Sequence, residues 1–592
     1  MRAFRLWRDQ GLVYIYKRAG LRRRRIQSYD PGWINAYEPS TPAHLQKIEA
    51  RIAAFAQRPL FTIVLPLRNA SAEDLRRSLQ SVQAQLYGHW ELCIAGDNPD
   101  AEIESFAESV AATDARIRTV RTTGGTADAV NQALATGHRD YVVLLRPGDR
   151  LASHALYMVG EEIDICPDAA IVYSDEDTID TDGRRHDPQF KSDWNPDLLL
   201  SRNYVGSLVA WRGDLVRQAG GFRDAFDECL DYDLTLRLME RCDAAAIRHI
   251  PWVLYHAQSS RTGGNRVPDV VTVEQEREAL RAHLARVGIP ATVEASRSGR
   301  FHRVRRQIPA RAPRVSLIIP TRDRVRLLRA AVDSILAHTD YPHYEIVVID
   351  NQSVEAETAS YFASLAGHPR VRVLRYDFPF NYSALNNFGA ARCESELFGF
   401  VNNDIEAVHR DWLDELVSHA TRPEVGAVGP MLHYPDGSVQ SAGVLVGVGV
   451  AMNCSTDLPP AERPPRYELI QNYSAVTGAC LLTRAALFRE VGGFNEADLS
   501  VAYNDVDYCL KLRERGYLVT WTPYAELVHH ESASRGSDKS GKQATRLRHE
   551  QRHLARRWPQ ALRHDPYYNP HLSRAADIFA LSRDRECRPP WF

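Results

Sequence analysis

The chain has 592 residues, which at roughly 100–200 residues per domain predicts two to four domains. Its composition is 44% hydrophobic and 25% charged, and 73 basic against 75 acidic residues leave a formal net charge of −2. This balance is typical of a globular protein with large cores and argues against nucleic acid as a partner, since nucleic-acid-binding proteins usually carry a basic surplus. No run of about 18 apolar residues occurs, so no membrane-spanning helix is predicted.

The first 26 residues combine aromatic and aliphatic side chains with four consecutive arginines at 22–25. A basic amphipathic segment of this kind is expected either to contact an anionic membrane surface or to pack on the protein itself. The nine cysteines include no CxxC pair, and the N-terminus lacks the apolar core of a secretory signal. We therefore expect reduced thiols in a cytoplasmic protein, peripheral to the inner face of the membrane if residues 1–26 bind it.

The two halves of the chain repeat each other. FTIVLPLRN at 61–69 is similar to VSLIIPTRD at 315–323, and GGFRDAF at 220–226 is similar to GGFNEAD at 492–498. Each half also contains three further apolar, strand-like runs, at 90–97, 117–121 and 141–145 in the first and at 344–350, 371–375 and 397–401 in the second. Apolar strands that alternate with helical patterns predict a parallel sheet covered by helices on both faces.

The repeat divides the chain into five segments. Residues 1–58 are a basic, helical N-terminal extension, 59–258 the first repeat, 259–312 a connector, 313–535 the second repeat and 536–592 a helical C-terminal tail. A period of this length is that of a domain and not that of a solenoid unit. We therefore predict an α/β chain of two tandem Rossmann-like domains with mostly parallel sheets and helical extensions at both ends.

Polar residues follow the predicted strands of the second repeat, where parallel α/β sheets bind ligands. Asp350 directly follows a strand and can either accept hydrogen bonds from the base or ribose of a nucleotide or cap a helix. Asn402-Asn403-Asp404 places an amide and a carboxylate on one side of an extended segment. These oxygens suit Mg²⁺ or Mn²⁺ bridging a diphosphate, and the alternative is an ordinary Asn/Asp turn.

Two later motifs also carry side chains that could act chemically. Asn504-Asp505 precedes an amphipathic helix, where an Asp is either a cap or an acid–base group. His529-His530 follows an apolar run, so a histidine at this strand end is either structural or a ligand to metal or phosphate. Each of these motifs is a weak signal by itself.

The order of the motifs is more specific than any one of them. The second repeat reads IPTRDR, VVIDNQS, FNYSALNNFGA, FVNNDIE, VTGACLLTR, GGFNE, NDVDYCLKLRERGY and HHES. This series resembles the family-2 glycosyltransferases, above all bacterial O-antigen and surface-polysaccharide enzymes, including rhamnosyltransferase-like members. The resemblance covers about 59–258 and 313–535, and WINAYEPS and DPYYNPHLS are similar to segments of tandem-domain members.

This resemblance implies GT-A folds, a UDP- or dTDP-linked sugar donor, a divalent metal (Mg or Mn), inversion at the anomeric carbon and a glycan or lipid-linked oligosaccharide acceptor. It implies that Asp505 is the catalytic base and that Asp404 and His530 hold the metal, with Asn402 replacing the first carboxylate of the family's motif. A positioned carboxylate removes the proton of the attacking hydroxyl, and a metal offsets the charge of the leaving diphosphate. The donor-binding residues implied in the second repeat are Pro320, Thr321, Arg322, Asp323, Asp350, Asn351, Asn386, Asn402 and Asn403.

The first repeat departs from the family's pattern at the metal position. Arg146 and Gly148 stand where the family has acids, whereas Asp149 and the second base-position residue, Asp231, are retained. An arginine cannot bind a cation but can neutralise a diphosphate. The first repeat is therefore a metal-free transferase, a donor- or acceptor-binding module or a degenerate scaffold, and weakened catalysis is favoured, although the acids at 175–177 could restore a metal site. The donor-binding residues implied here are Pro66, Asp97, Arg146 and Asp149.

Several classes of protein share some of these features. A transferase that extends a lipid-linked surface glycan from the second repeat is favoured because Asp404 and Asp505 are both present. The alternatives are a bifunctional enzyme with both repeats active and a non-catalytic scaffold that binds nucleotide or glycan. A processive synthase is disfavoured because Gln551 lies too far from Arg557-Trp558 to complete a Gln-x-x-Arg-Trp motif, and a dehydrogenase because no GxGxxG follows either first strand.

Overall fold

The computed structural model describes residues 37–68, 70–96, 101–122, 124–135, 140–259, 270–530, 541–575, 577–582 and 587–592. The membrane-contact expectation for residues 1–26 and the donor-binding expectation for Asp97 lie outside these residues. Within the described ranges, no helix has both the length and the apolar character needed to cross a membrane.

The first repeat forms a mixed sheet flanked by helices. Its strands are β1 Phe61–Pro66, β2 Trp90–Ala95, β3 Ile117–Val120, β4 Tyr141–Leu144, β5 Arg150–Leu151, β6 Ile171–Ile179, β7 Arg185–Gln189, β8 Val209–Arg212 and β9 Ile247–Gln258. Its helices are α1 Pro42–Ala53, which precedes the sheet, α2 Ala72–Gln83, α3 Ala101–Thr113, α4 Thr126–Ala135, α5 Ala155–Ile165, α6 Pro196–Ser201, α7 Gly213–Gln218 and α8 Leu230–Met239. Helix α9 Val270–Arg286 and the antiparallel hairpin β10 Ala291–Ala295 and β11 His302–Arg306 follow.

The second repeat and the tail continue the same alternation. The strands are β12 Val315–Thr321, β13 Tyr344–Asp350, β14 Val371–Arg375, β15 Leu397–Val401, β16 Ile405–Ala407, β17 Val425–His433, β18 Val439–Ser441, β19 Val444–Val446, β20 Ala451–Asn453, β21 Gln471–Asn472, β22 Cys480–Arg484 and β23 Leu518–His529. The helices are α10 Val325–Ala337, α11 Ala356–Leu365, α12 Tyr382–Ala390, α13 Trp412–Ala420, α14 Ala485–Glu490 and α15 Asn504–Glu514, and the tail contributes α16 Gly541–Arg557 and α17 Pro559–Arg563.

The two sheets have the same strand order. The first runs β3-β2-β1-β4-β8-β6-β9-β5 and the second β14-β13-β12-β15-β22-β17-β23-β16. In each, the first four strands in this order are parallel, and three of them are completely or largely buried, as near-continuous apolar runs should be, whereas the edge strands β3 and β14 are partly exposed. The other half adds antiparallel strands, so each sheet is mixed. The tandem α/β prediction is confirmed, and the matching order supports an origin by duplication.

The equivalent order lets residues of the two sheets be compared by register. Phe61 pairs with Trp90 and Tyr141, just as Val315 pairs with Tyr344 and Leu397. The short strands β5 and β16 pair antiparallel with β9 and β23, with Arg150 opposite His256 and Ile405 opposite His529. Asp149 and Asp404, which directly precede these strands, therefore occupy equivalent positions.

A buried polar network joins the two repeats. The carboxylate of Asp197 on α6 accepts hydrogen bonds from Asn472 (2.7 Å) and Thr520 (2.8 Å), and its other oxygen lies 2.8 Å from the Arg422 guanidinium. Burial raises the pKa of Asp197, but Arg422 outweighs this effect and the net pKa is about 2. Because a buried charge needs its partners, these contacts hold the two repeats in one arrangement.

Candidate functional site

The polar residues at the strand ends of the second repeat stand on strained backbone. Asp323 and Arg324 after β12, Gln352 after β13 and Tyr503 before α15 all have left-handed φ angles, of 52°, 56°, 61° and 61°. Non-glycine residues adopt this conformation at an energetic cost and do so preferentially at functional sites. The strain therefore coincides with the edge of the sheet that the sequence identified.

Two loops form the part of this edge that the sequence assigned to donor binding. Asp350 is buried, accepts the Ser353 amide at 2.9 Å and lies 2.6 Å from the Arg375 guanidinium. Asp323 Oδ1 accepts the amides of Val354 and Glu355 at 2.8 and 2.9 Å, just before α11. Asp323, in the loop after β12, thus caps the N-terminus of α11 from outside that helix. This contact holds the loops after β12 and β13 together.

Asn351 and Asn403 tie the same loops to the sheet. Asn351 donates from Nδ2 to the carbonyl of Phe378 at 2.8 Å, and its buried Oδ1 has no hydrogen-bond partner among the described residues. Asn403 Nδ2 donates to Thr321 Oγ1 at 3.0 Å. Of the other predicted donor-binding residues, Pro320 is buried in β12, Arg322 is exposed, and Asn386 is fully buried in α12.

Asn402, Asp404 and His529 meet where β15 ends and β16 pairs with β23. His529 Nε2 lies 3.1 Å from Asp404 Oδ1 and 3.4 Å from Asn402 Nδ2, and its Nδ1 lies 2.6 Å from Gln440 Oε1. Because an amide oxygen only accepts, Nδ1 carries a ring hydrogen, and Nε2, when it carries none, presents a lone pair to Asp404. Two acceptors at this distance require a proton or a cation between them, so the donor set fits a divalent metal.

His530, the histidine that the sequence assigned to the metal, faces the other way. Its Nε2 lies 3.1 Å from Glu406 Oε1, while its backbone amide donates to the Asp404 carbonyl at 2.9 Å. Successive residues of a strand point to opposite faces, so only one of the two histidines can share a face with Asp404. The geometry brings His529, and not His530, to that position.

Asp505 lies in the first turn of α15 and is half-buried. Its Oδ2 accepts the Gly478 amide at 2.7 Å and its Oδ1 accepts the Val506 amide at 2.8 Å, so backbone N–H groups fix the carboxylate. Tyr382 donates to the Gly478 carbonyl at 2.9 Å and contacts Asn402 Oδ1 at 3.0 Å. One tyrosine therefore connects the loop that holds Asp505 with the position of Asn402.

The equivalent residues of the first repeat have different partners. Asp149 is fully buried, accepts the Tyr255 hydroxyl at 2.6 Å and accepts the Gln258 amide at 2.8 Å. His256 Nδ1 lies 2.6 Å from Asp177 Oδ1 and not against Asp149. Asp149 and His256 are therefore separated by their own hydrogen bonds, and the first repeat does not fit a metal at this position.

Arg146 and Asp231 meet at the base position of the first repeat. Arg146 Nη2 lies 3.4 Å from Asp231 Oδ1, and Asn203 Nδ2 donates to Asp231 Oδ2 at 3.3 Å. The pKa of Arg146 is raised by Asp231, so the guanidinium stays charged. Pro66, the other predicted donor-binding residue described here, is buried at the end of β1.

Sequence reasoning did not assign roles to His529, Tyr382 or Gly478. His529 and His530 are adjacent, and the signal that separates them is the strand period, because β23 extends through His529 and sets its pairing with Ile405. Tyr382 and Gly478 lie within the motifs FNYSALNNFGA and VTGACLLTR. Their contacts join residues far apart in the chain, which a local motif does not reveal.

The repeated sheets, with the strand-end carboxylates of the second, define a glycosyltransferase-type α/β protein of the GT-A class. The chain belongs to glycosyl transferase family 2, whose sequence model matches residues 62–229 and 316–492. It is 42% identical over 557 residues to an uncharacterised protein of Sinorhizobium fredii, covering 92% of this chain and 61% of that protein. It is 40% identical over 568 residues to the O-antigen biosynthesis protein RfbC of Myxococcus xanthus, covering 94% of this chain and 43% of that protein.

The chain thus spans about half the length of these relatives. Among solved structures, it is similar to a mannosyltransferase of Pyrobaculum calidifontis in complex with GDP-Man and Mn²⁺, at 21% identity and a TM-score of 0.31. That match covers 43% of this chain and 66% of the mannosyltransferase chain.

Proposed function

We propose that the second repeat is an inverting glycosyltransferase centre that moves a sugar from a nucleoside diphosphate to a cell-surface glycan. The single observation that carries the proposal is the juxtaposition, at one sheet edge, of the half-buried Asp505 carboxylate with Asn402, Asp404 and His529. The O-antigen biosynthesis name of the Myxococcus xanthus relative supports a cell-surface glycan as the acceptor, and we infer that this glycan is lipid-linked and is extended at the cytoplasmic side of the membrane.

In the proposed reaction, Asp505 accepts the proton of an acceptor hydroxyl as that oxygen attacks the anomeric carbon. The bond from the anomeric carbon to the diphosphate oxygen breaks, and the nucleoside diphosphate leaves with the electron pair. The Gly478 and Val506 amides orient the carboxylate before the reaction, and a base held in this way typically accelerates such a step by about 10²–10⁴-fold. Attack from the face opposite the leaving group inverts the anomeric configuration.

Asp404 and His529 would hold a divalent Mg or Mn ion, which when bound offsets the charge of the diphosphate, while Asn402 turns its Nδ2 toward His529 and accepts the Tyr382 hydroxyl with its Oδ1. Gln440 fixes the ring of His529 through Nδ1, so that Nε2 stays directed at Asp404. We infer that Asp350 and Asn351, at the end of β13, contact the base and ribose of a UDP- or dTDP-linked donor.

The experiment is a donor screen with the full chain. UDP-, dTDP- and GDP-linked sugars are incubated with bacterial envelope glycolipids, with Mn²⁺ or with EDTA, and release of the nucleoside diphosphate is measured. We expect acceptor-dependent release in Mn²⁺ that is lost in Asp404→Ala and kept in Asp149→Ala, its matched position in the first repeat. Release that survives Asp404→Ala but disappears in Asp149→Ala would move the active site to the first repeat.

A further inference from the structure

A large cleft lies against the first repeat and is built from three parts of the chain. Its volume is about 1180 Å³, and its walls include Pro66 and Arg146 at the ends of β1 and β4, residues between 464 and 473 of the second repeat and, from the tail, Tyr567, Tyr568, Asn569, Leu572 and Phe579. Sites for drug-sized ligands usually measure about 300–1,000 Å³, so this cleft has room for a longer molecule.

The groups that would make this cleft catalytic are engaged with other protein groups. Asp231, at the base position, is buried between the Arg146 guanidinium and the Asn203 amide. Asp149 is held by Tyr255 and Gln258, as described above. The cleft is therefore large, but Asp231 at the base position and Asp149 at the metal position both already bind other groups of the protein.

The charge on the walls is balanced. Among the described residues that line the cleft, six are basic and six are acidic. Three of the basic side chains pair with acidic ones of the same wall, as Arg68–Asp227, Arg146–Asp231 and Lys191–Glu176. A diphosphate would bring its negative charge to walls with no net positive charge to offset it, so the walls favour a neutral ligand.

The uncharged lining combines rings with amides. Phe190, Tyr567 and Phe579 are half-buried and contribute aromatic rings from the end of β7 and from the tail. Gln189 and Gln471 add amide groups, which both donate and accept hydrogen bonds. Aromatic faces pack against the C–H faces of sugar rings and amides pair with their hydroxyls, so this lining suits a neutral oligosaccharide.

One segment connects this cleft with the proposed active site. Tyr473 lines the cleft, and five residues further along the same segment the Gly478 amide donates to Asp505. Between them, Ser474 donates to the tail residue Asp565 and is fully buried. A ligand in the cleft would therefore lie against the segment that positions the catalytic carboxylate of the second repeat.

We propose that the first-repeat cleft is a non-catalytic binding site for a neutral oligosaccharide, the glycan part of the acceptor. The assignment of the ligand as acceptor rests on the proposed function, whereas the binding itself does not. The first repeat then retains the sheet of a transferase domain but uses it to hold the glycan that the second repeat extends.

The test measures binding by the full chain in EDTA and without nucleotide. An array of neutral and acidic oligosaccharides selects the tightest probe, which is then titrated by calorimetry. We expect neutral oligosaccharides to bind, and Tyr567→Ala and Phe579→Ala each to weaken binding by about tenfold, as loss of an aromatic contact implies. Tyr567→Phe should retain binding, and Phe592→Ala, which removes an exposed ring next to His44, is the matched control.

Asp505→Asn separates this inference from the proposed function, because it should lower the rate of transfer by about 10²–10⁴-fold while leaving glycan affinity unchanged. Glycan binding by a natural chain that transfers no sugar from any donor would overturn the proposed function and leave the cleft assignment standing. The cleft assignment is overturned if no neutral oligosaccharide on the array binds, or if Tyr567→Ala and Phe579→Ala bind as tightly as the natural chain. It is also overturned if the cleft instead binds UDP or dTDP in EDTA and loses them in Arg146→Ala.

Discussion

The two repeats place an aspartate and a histidine at the same positions of the same sheet but give them different partners. In the second repeat, Asp404 faces His529, whereas in the first, Asp149 faces Tyr255 and His256 faces Asp177. In the pairing of the sheet, Tyr255 of the first repeat is equivalent to Val528 of the second. The tyrosine hydroxyl can therefore donate to Asp149, whereas valine offers no such donor to Asp404. The aspartate and the histidine are therefore retained in the first repeat, but their hydrogen-bond partners keep them out of the arrangement that would hold a metal in the second.

The largest expected difference between the repeats is in turnover. Asp505→Asn removes the proposed base and should lower the rate of transfer by about 10²–10⁴-fold, because the acceptor hydroxyl then has no group to take its proton. The matched change Asp231→Asn alters a carboxylate that already pairs with Arg146 and should leave the rate within about threefold. Both rates are measured as acceptor-dependent release of nucleoside diphosphate at saturating donor.

Equal losses in the two variants would contradict the comparison and favour a chain with two active sites. Thermal unfolding midpoints serve as the control. Asp505 is half-buried at a helix N-terminus, so its amide variant is expected to fold, and a rate loss accompanied by unfolding would not count as evidence for the base.

The sequence predicted the sheets better than it predicted the site. The strands at 344–350, 371–375 and 397–401 have the predicted bounds, because β-branched or aromatic residues, which favour strands, recur through each run. The antiparallel half of each sheet was not predicted, since β5 and β16 are only two and three residues long and are held by pairing with distant strands. The hydrogen-bond partners of Asp149 are Tyr255 and Gln258, which lie 106 and 109 positions away in the chain. No local sequence pattern encodes contacts over this distance.

The next largest effect is expected at the buried contact between the repeats. Arg422→Met removes the cation beside Asp197 and leaves a buried carboxylate with only neutral donors, which should destabilise the chain by about 3–5 kcal/mol. Arg410→Met, which breaks an exposed pair with Asp340, is the control and should cost about 0–1 kcal/mol. Chemical denaturation measures both. A similar small loss in each would show that the repeats do not depend on this contact.

A smaller effect is expected from His249, which the first repeat buries between Asp175 and Asp193 at 3.0 and 2.9 Å. Burial lowers its pKa, but Asp175 and then Asp193 outweigh burial and raise it to about 9. A raised pKa contributes stability that is complete below the unfolded value of about 6.5 and is lost as pH rises through about 9. Of the neighbouring groups, His564 shares Asp193 and Tyr173 stacks on the ring.

The matching variant is His249→Gln. It should lose roughly 3 kcal/mol at pH 6 and little at pH 10, because the natural chain has then lost the same contribution. Denaturant unfolding from pH 6 to 10 measures the difference. Parallel curves for the two chains would show that His249 does not titrate in this range. His564→Gln is the control for the outer contact of Asp193, and it should flatten the curve less because His564 is exposed.

The smallest effect is expected from changing the hydrogen bonds that Asp149 accepts from Tyr255 and Gln258. Asp149→Asn replaces one of the two oxygens that accept from Tyr255 and Gln258 with an amino group, and the unsatisfied donor should cost about 1–3 kcal/mol of stability. The same change at the equivalent position, Asp404→Asn, should leave the unfolding midpoint nearly unchanged and raise the Mn²⁺ concentration needed for half-maximal transfer. For each variant, chemical denaturation measures the change in stability and a Mn²⁺ titration measures the metal concentration at half-maximal transfer. A shift in metal dependence for Asp149→Asn would show that the first repeat binds a cation despite Tyr255, and the partners seen in the structure would then not be what distinguishes the two repeats.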